Sequence, residues 1–459
     1  MPGLDDVLHS VNRAVILGVG DYGSGADAAV ALRFLGLPVT ATDSRPETAL
    51  PPEHIRKLAA VGVPLLLGCN PEWLVDGDTL LVPAPSVPLS HPLVKKARCI
   101  FCDVALLAGA AAGRVIGVTG SNGKTTTAAW LHHVLRQTPA GAALGGNIGV
   151  SAGRLLAVAR RSSSFVVLEI SSFQAEYLVL AGVAPSVMVF TNFSPNHLDH
   201  YCSLDAYRSA KRGIIPLVPP SGALVLNSDD EVWRWREGFL GRVLAFGRRG
   251  RFSDGVFFGD EIVYVRGGVE ETLGPAAASP LPGDHNLYNL CAVLAAAAAL
   301  GVAPAAAFRS ALSFPGVEHR LEKVASVEGV VFYDDSSSTT PESTLTALAA
   351  FAPPPVLIVG GRNKGMPLDA LAKALAASPG VVLIGETTAL LLDKLSGCSA
   401  VVATAADMRD AVAKALAAAM RAGTRSVVLS PGFASFDMFR NYRHRGDVFK
   451  DEVRELAAL

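Results

Sequence analysis

Short apolar runs alternate along this chain with longer stretches rich in alanine and leucine. The runs include "VVLEI" (166–170), "VMVFTN" (187–192), "PVLIVGG" (355–361), "VVLIGE" (381–386) and "SVVLSPG" (426–432). Such alternation predicts parallel strands joined by crossover helices, an α/β fold. Breaks rich in Pro and Gly fall near 83–92 ("PAPSVPLSHP"), near 113 and near 315 ("FPGVEHR"). They predict three α/β units, at roughly 1–102, 103–316 and 317–459. The stretch 246–268 ("FGRRGRFSDGVFFGDEIVYVRGG") predicts a β-hairpin inserted in the middle unit. The most apolar segment, "LCAVLAAAAALGVAPAAAF" (290–308), is mostly alanine and is broken by Gly301 and Pro304. It predicts a buried helix, not a membrane span.

Composition narrows the class. The chain has 459 residues, half of them apolar, and a net charge of −1. At about 150 residues per domain this suits three cores. Nothing in the charge points to nucleic acid or a membrane surface, so small-ligand chemistry is expected. The six cysteines are scattered, which suits a reducing compartment. "CIFC" (99–102) lacks a second ligand pair for zinc and reads as buried thiols. The start, "MPGLDDVLHSVNR", shows no basic region followed by an apolar core, so a cytoplasmic protein is expected.

Two glycine-rich loops carry the chemistry. In "LGVGDYGSG" (17–25), Gly18, Gly20 and Gly23 fit G-x-G-x-x-G, with Asp43 twenty residues beyond Gly23. Taken alone this predicts a dinucleotide site and a dehydrogenase. About a hundred residues later comes "RVIGVTGSNGKTTTAAWLHHVL" (114–135). An apolar strand enters a glycine-rich turn, and a helix leaves it. Backbone N–H groups at Gly120, Ser121, Asn122 and Gly123 would cradle phosphate oxygens. Lys124 would neutralise β/γ charge and Thr125 would offer a hydroxyl to Mg²⁺, with Thr126 beside it. Val118 stands where the strict motif has its first glycine, and Gly117 comes one residue early. A dehydrogenase needs one nucleotide loop and no G-K-T, so the second loop argues against that reading.

The motifs in order carry a resemblance. "GVTGSNGKTTT", "GGNIG" (145–149), "LEISSFQ" (168–174), "TNFSPNHLDHY" (191–201), "YRSAK" (207–211), "GDHNLYN" (283–289), "HRLE" (319–322), "GGRNKG" (360–365) and "LSPGFASFDMFRNYRHRG" (429–446) span most of the chain. The chain resembles the Mur ligases, ATP-dependent amide-forming enzymes of peptidoglycan synthesis, and above all the glutamate-adding members. The resemblance implies a Rossmann-like N-terminal domain, a P-loop ATPase-like central domain and a Rossmann-like C-terminal domain. It implies UDP-N-acetylmuramoyl-L-alanine and glutamate, expected as D-glutamate, as substrates, joined through an acyl phosphate by a cytoplasmic monomer.

Residue by residue, it places Mg²⁺ on Thr125 and Glu169, and a second Mg²⁺ on His197. It makes Lys211 the lysine that CO₂ carbamylates to reach the metal. Asn289 would lie toward adenine, Arg320 over phosphate and Asp335 on ribose. Gly18, Gly20, Tyr22, Gly23, Ser24, Asp43, Ser44, Arg45, Asn147 and His197 would hold the UDP substrate. Thr339, Lys364, Ser435 and Tyr442 would hold the amino acid. Two departures stand out. "DSSSTT" (335–340) replaces the family's D-S-K-A-T-N, so Ser337 stands where a lysine is usual and Thr340 where an asparagine is. Arg362 is a candidate to restore the lost charge. The first loop is also longer than usual, and Asp21 brings a negative charge toward the diphosphate. A Mur-type ligase of other amino-acid specificity, and a catalytically impaired nucleotide-binding homologue, are the alternative readings.

Overall fold

The computed structural model describes every residue except 1–2, 21–22, 112, 161, 196–200, 202, 249, 251, 364, 399–400 and 459. It forms two compact units, Met1–Ser279 with Leu287–Phe314, and Pro280–Asn286 with Pro315–Leu459.

The first unit holds two sheets. One contains β1 (Arg13–Leu17), β2 (Val39–Asp43), β3 (Leu65–Leu67), β4 (Thr79–Pro83) and β5 (Cys99–Ile100), all parallel, in the order β3-β2-β1-β4-β5. The strand order reverses between β1 and β4, and the first glycine loop leaves the carboxyl end of β1. In open α/β sheets that crevice is where ligands bind.

The other sheet has nine strands: β6 (Val115–Thr119), β7 (Ala142–Gly146), β8 (Phe165–Glu169), β9 (Val187–Phe190), β10 (Ala223–Asn227), β11 (Arg242–Arg248), β12 (Gly255–Phe258), β13 (Glu261–Arg266) and β14 (Val269–Pro275). Their order is β14-β13-β12-β11-β10-β9-β6-β8-β7. β6 lies between β9 and β8, parallel to both, so the loops after these three strands open on one edge. The stretch 246–268 contains the expected hairpin, β12–β13, and it extends this sheet. β12 runs parallel to β11, and only the β12–β13–β14 ribbon is antiparallel.

The second unit has β15 (Glu322–Val327), β16 (Val330–Asp334), β17 (Val356–Val359), β18 (Gly380–Ile384), β19 (Val401–Ala405) and β20 (Ser426–Leu429), in the order β15-β16-β20-β17-β18-β19. Its period-2 alternation divides two cores. Val356, Ile358, Val382, Ile384, Val427 and Leu429 face the helices Met408–Ala422 and Tyr442–Ala457. Leu357, Val359, Val381, Leu383 and Val428 face Leu371 and Leu375 of the helix Asp369–Ala376. Both faces are covered, so these strands read as unbroken apolar runs.

The alanine-rich segment is two helices, Asp284–Ala299 and Pro304–Leu312, separated at Gly301 as its breakers require. Among the described residues no helix is long and apolar enough to cross a membrane. Cys102 is fully buried and Cys99 half-buried; burial pushes both thiols up, away from reactivity. Trp130 anchors the helix Lys124–Leu135: its ring is buried against Phe314, and its indole N–H donates to the Ala311 carbonyl (3.0 Å).

Candidate active site

The first loop is built by left-handed backbone at Gly18 (φ 90°), Gly20 (φ 81°) and Gly23 (φ 77°), a region that L side chains rarely adopt. The fourth glycine of the stretch, Gly25, brings the helix Ser24–Phe34 against the strand. A Cβ there would stand 2.1 Å from the Gly18 carbonyl. Close packing of helix on strand therefore falls to Gly25, outside the G-x-G-x-x-G spacing. His54, which sequence reasoning missed, is buried beneath the loop, its Nδ1 3.0 Å from the Gly20 carbonyl.

Asp43 stands at the end of β2 as expected, but both its oxygens are engaged within the protein. One accepts from the Val19 N–H (3.1 Å), the other from the Arg45 N–H (3.0 Å), and the Arg45 guanidinium spans both. Burial opposes ionisation of Asp43. The Arg45 side chain and the two N–H groups outweigh it and hold the carboxyl below the usual carboxylate range. Asp43 thus clamps the loop to β2 and orients Arg45, while Ser44 beside it is exposed. Tyr22 and Asp21 lie outside the described residues.

At the second loop, Gly120 (φ 147°) crosses the end of β9 so closely that a Cβ would meet the Thr191 hydroxyl at 1.9 Å. Residues 191–194 brace it. The Ser121 and Asn122 N–H groups donate to the Asn192 carbonyl and side-chain oxygen (2.9 Å each), and the Ser121 hydroxyl donates to the Ser194 carbonyl (2.9 Å). Gly117, the early glycine of the motif, is a mid-strand residue. Its missing Cβ leaves room for Met188, Ile170 and Pro185. Gly123 (φ 78°) caps the helix, and Lys124 folds back to donate to the Ser121 carbonyl (2.8 Å). Thr126 is half-buried in the first turn. Asn289 is buried at the base of the loop, its side-chain oxygen accepting from Thr127 (3.1 Å) and lying against Gly123.

Below this loop the expected residues converge. Glu169 ends β8 and is buried. One carboxylate oxygen accepts from the Thr125 hydroxyl (2.7 Å), the other from the Asn147 amide (2.8 Å). A hydroxyl and a carboxylate at a phosphate loop are the hard oxygen donors that Mg²⁺ takes, so this pair fits the ion. Lys211 lies buried in the last turn of the helix Leu204–Arg212 and donates to the Gly120 carbonyl (2.9 Å), above the Tyr207 ring. Burial, and then the nearby Lys124 charge, push its pKa down to about 7, with Glu169 opposing. His197 lies outside the described residues. Tyr177, also unforeseen, is buried on the helix Ser172–Ala181 that follows Glu169. Its hydroxyl donates to the Val87 carbonyl (2.7 Å) in the loop after β4.

In the second unit the loops after β16, β17 and β20 share one sheet edge. Arg320 is flanked by two non-glycine residues with positive φ, His319 (62°) and Leu321 (47°). This local strain is sustained by the His319 ring on Asp334 (2.7 Å) and by the Leu321 N–H on Asp335 (3.3 Å). Asp335 is buried and also accepts from the Ser338 (2.5 Å) and Ser430 (2.7 Å) hydroxyls. Burial dominates and pushes its carboxyl up to about 6, against those bonds and the Arg320 charge. Ser435 is buried, Thr339 half-buried, and Tyr442 opens the helix Tyr442–Ala457 with its ring edge-on to His319. Lys364 lies outside the described residues. Arg445 was not foreseen. Fully buried, it donates to the carbonyls of Phe433 (3.0 Å), Ser336 (3.0 Å) and Gly360 (3.5 Å), one from each loop. Arg362, the expected substitute for the missing lysine, is engaged with Glu386 (3.0 Å).

Comparison with known proteins identifies the family. Residues 118–297 match the Mur ligase middle domain, and residues 319–432 match the Mur ligase glutamate ligase domain. The chain is 37% identical to the UDP-N-acetylmuramoylalanine–D-glutamate ligase of Symbiobacterium thermophilum, over 97% of this chain and 98% of that one. It is 34% identical to the same-named enzyme of Shouchella clausii, over 97% of each. In fold it is similar to MurF of Acinetobacter baumannii (TM-score 0.59, 16% identity, 99% of this chain and 98% of that one). It is also similar to the UDP-N-acetylmuramate–alanine ligase of Thermotoga maritima (TM-score 0.57, 19% identity, 96% and 99%). The chain belongs to the Mur ligase family.

Proposed function

We propose that the protein joins D-glutamate to UDP-N-acetylmuramoyl-L-alanine at the expense of ATP, in peptidoglycan synthesis. The observation that carries this reading is the Thr125–Glu169–Asn147 cluster under a phosphate loop, in a chain similar over its whole length to ligases named for that reaction. On this reading residues 1–102 hold the UDP-sugar, 103–316 ATP and 317–459 the amino acid, in a cytoplasmic monomer.

The substrate carboxylate attacks the γ-phosphorus. The bond to the ADP oxygen breaks, leaving an acyl phosphate. The glutamate amine then attacks the acyl carbon, loses a proton and expels phosphate. Several anions must meet, so the protein's main contribution is fixed positive charge and dipoles. Lys124 and the N-terminus of its helix face the phosphates. Thr125 and Glu169 would hold Mg²⁺, which would neutralise phosphate charge. By the family resemblance His197 and a carbamylated Lys211 would hold a second Mg²⁺. The lysine reading is supported by a buried amine whose pKa near 7 leaves much of it neutral, the form that attacks CO₂. Gly18, Gly20, Tyr22, Gly23, Ser24, Ser44, Arg45, Asn147 and His197 hold the UDP-sugar, with Asp43 orienting Arg45. Thr339, Lys364, Ser435 and Tyr442 hold glutamate. By the family resemblance Asn289, Arg320 and Asp335 are ATP contacts. Product analysis with D- and L-glutamate tests this function.

Ser337 weakens the amino-acid pocket. Its N–H is spent on the His319 carbonyl (3.1 Å), and Arg362 is paired with Glu386. Ser337→Lys restores a cation, and a charged hydrogen bond is worth roughly 1.5–3 kcal/mol. The KM for D-glutamate is expected to fall about tenfold with kcat little changed. An unchanged KM in steady-state assays would count against the need for a cation there.

A further inference from the structure

We infer that Asp27, with Ser151, is a positioning pair that couples the first glycine loop to Glu169, so that the UDP-sugar and ATP subsites are set by one connected framework. The inference rests on the function proposed above. Asp27 lies in the first turn of the helix Ser24–Phe34, and its N–H donates to the carbonyl of Gly23, the last glycine of the loop (2.8 Å). Its side chain is buried and doubly engaged. One oxygen pairs with Lys57 and the other accepts from the Ser151 hydroxyl (2.6 Å).

Ser151 immediately precedes the helix Ala152–Ala159 and closes the segment "GGNIGVS". Four residues earlier in that segment, Asn147 is fixed to Glu169 twice. Its N–H donates to the Glu169 carbonyl (2.9 Å) and its amide to the Glu169 carboxylate (2.8 Å). The two helices meet at close approach. At Gly153 a Cβ would come within 2.5 Å of the Ala28 nitrogen, so backbone rests on backbone beside Asp27. Lys57 belongs to the same helix, Pro52–Ala60, as His54, which touches the Gly20 carbonyl. A displacement of the glycine loop is therefore carried through Asp27 and Ser151 to the residue that orients Glu169. Neither Asp27 nor Ser151 is among the residues expected to touch substrate.

Ser151→Ala removes the link together with a long cap bond from the Arg154 N–H (3.4 Å), and Ser151→Thr keeps the hydroxyl for both. Binding of UDP-N-acetylmuramoyl-L-alanine and of a non-hydrolysable ATP analogue is measured separately and together by titration calorimetry. In Ser151→Ala the affinity for the sugar nucleotide is expected to fall about three- to tenfold. The effect of one ligand on the affinity for the other should fall with it, while the KM for D-glutamate stays unchanged. Ser151→Thr should restore both. Wild-type-like binding in Ser151→Ala, or a lowered melting temperature with unchanged affinities, overturns the coupling and leaves the proposed function standing. Failure of the wild-type protein to bind the sugar nucleotide overturns both.

Discussion

Lys211→Met should leave the protein inactive yet more stable at pH 6. The wild-type amine is buried, and its pKa is pushed down from 10.5 to about 7 by burial first and the Lys124 charge second. Between about pH 7 and 10.5 the unfolded chain holds the extra proton, so stability rises with pH across that window. Below about 7 both states are protonated, and the full cost of a buried cation is felt. A neutral side chain of similar length removes that cost. The lost hydrogen bond to the Gly120 carbonyl opposes the gain by roughly 1–3 kcal/mol. A shift of several units, at about 1.4 kcal/mol each, is the larger effect. The melting temperature should rise by several degrees at pH 6, and the gain should vanish toward pH 10.5. On the proposed reading turnover should fall by about a thousandfold or more, since the anion that a carbamate at Lys211 would supply is lost. Lys211→Ala should regain part of its activity with formate or acetate, and the wild-type enzyme should slow in CO₂-depleted buffer. Full activity in Lys211→Ala would remove the lysine from the chemistry.

Glu169→Gln is the second large effect. The carboxylate accepts from Thr125 and Asn147 at once. Glutamine keeps the shape but turns one acceptor into a donor facing a donor, and it removes the charge that would hold Mg²⁺. We expect kcat to fall about a hundredfold or more, with a higher Mg²⁺ concentration needed for half-maximal rate. Rates measured against Mg²⁺ check this; a near-normal rate at the wild-type Mg²⁺ optimum contradicts it.

The parts of the site legible in the sequence are those whose chemistry is local. The phosphate loop is a strand, a turn and a helix in twenty-two consecutive residues, and the apolar run "VVLEI" alone puts Glu169 at a strand end. Asp43 stands where its spacing puts it, but its neighbours change what it does, because the Val19 N–H and Arg45 take both oxygens. Glycines show the same limit. Gly25 and Gly117 are dictated by what lies across from them, the Gly18 carbonyl and Met188, which spacing does not reveal. Arg445 sits in "YRHRG", where nothing local marks it as buried. It is buried only because loops up to 109 residues away from it in the chain converge on its guanidinium. A long-range polar anchor of that kind leaves no periodic trace in the sequence.

The proposed reaction is tested most directly by product analysis after incubation with UDP-N-acetylmuramoyl-L-alanine, ATP, Mg²⁺ and either D- or L-glutamate. One ADP and one phosphate should appear per amide formed, with product from D-glutamate and none from L-glutamate. Amide formation with L-glutamate at the same rate, or no phosphate release with either, would contradict it.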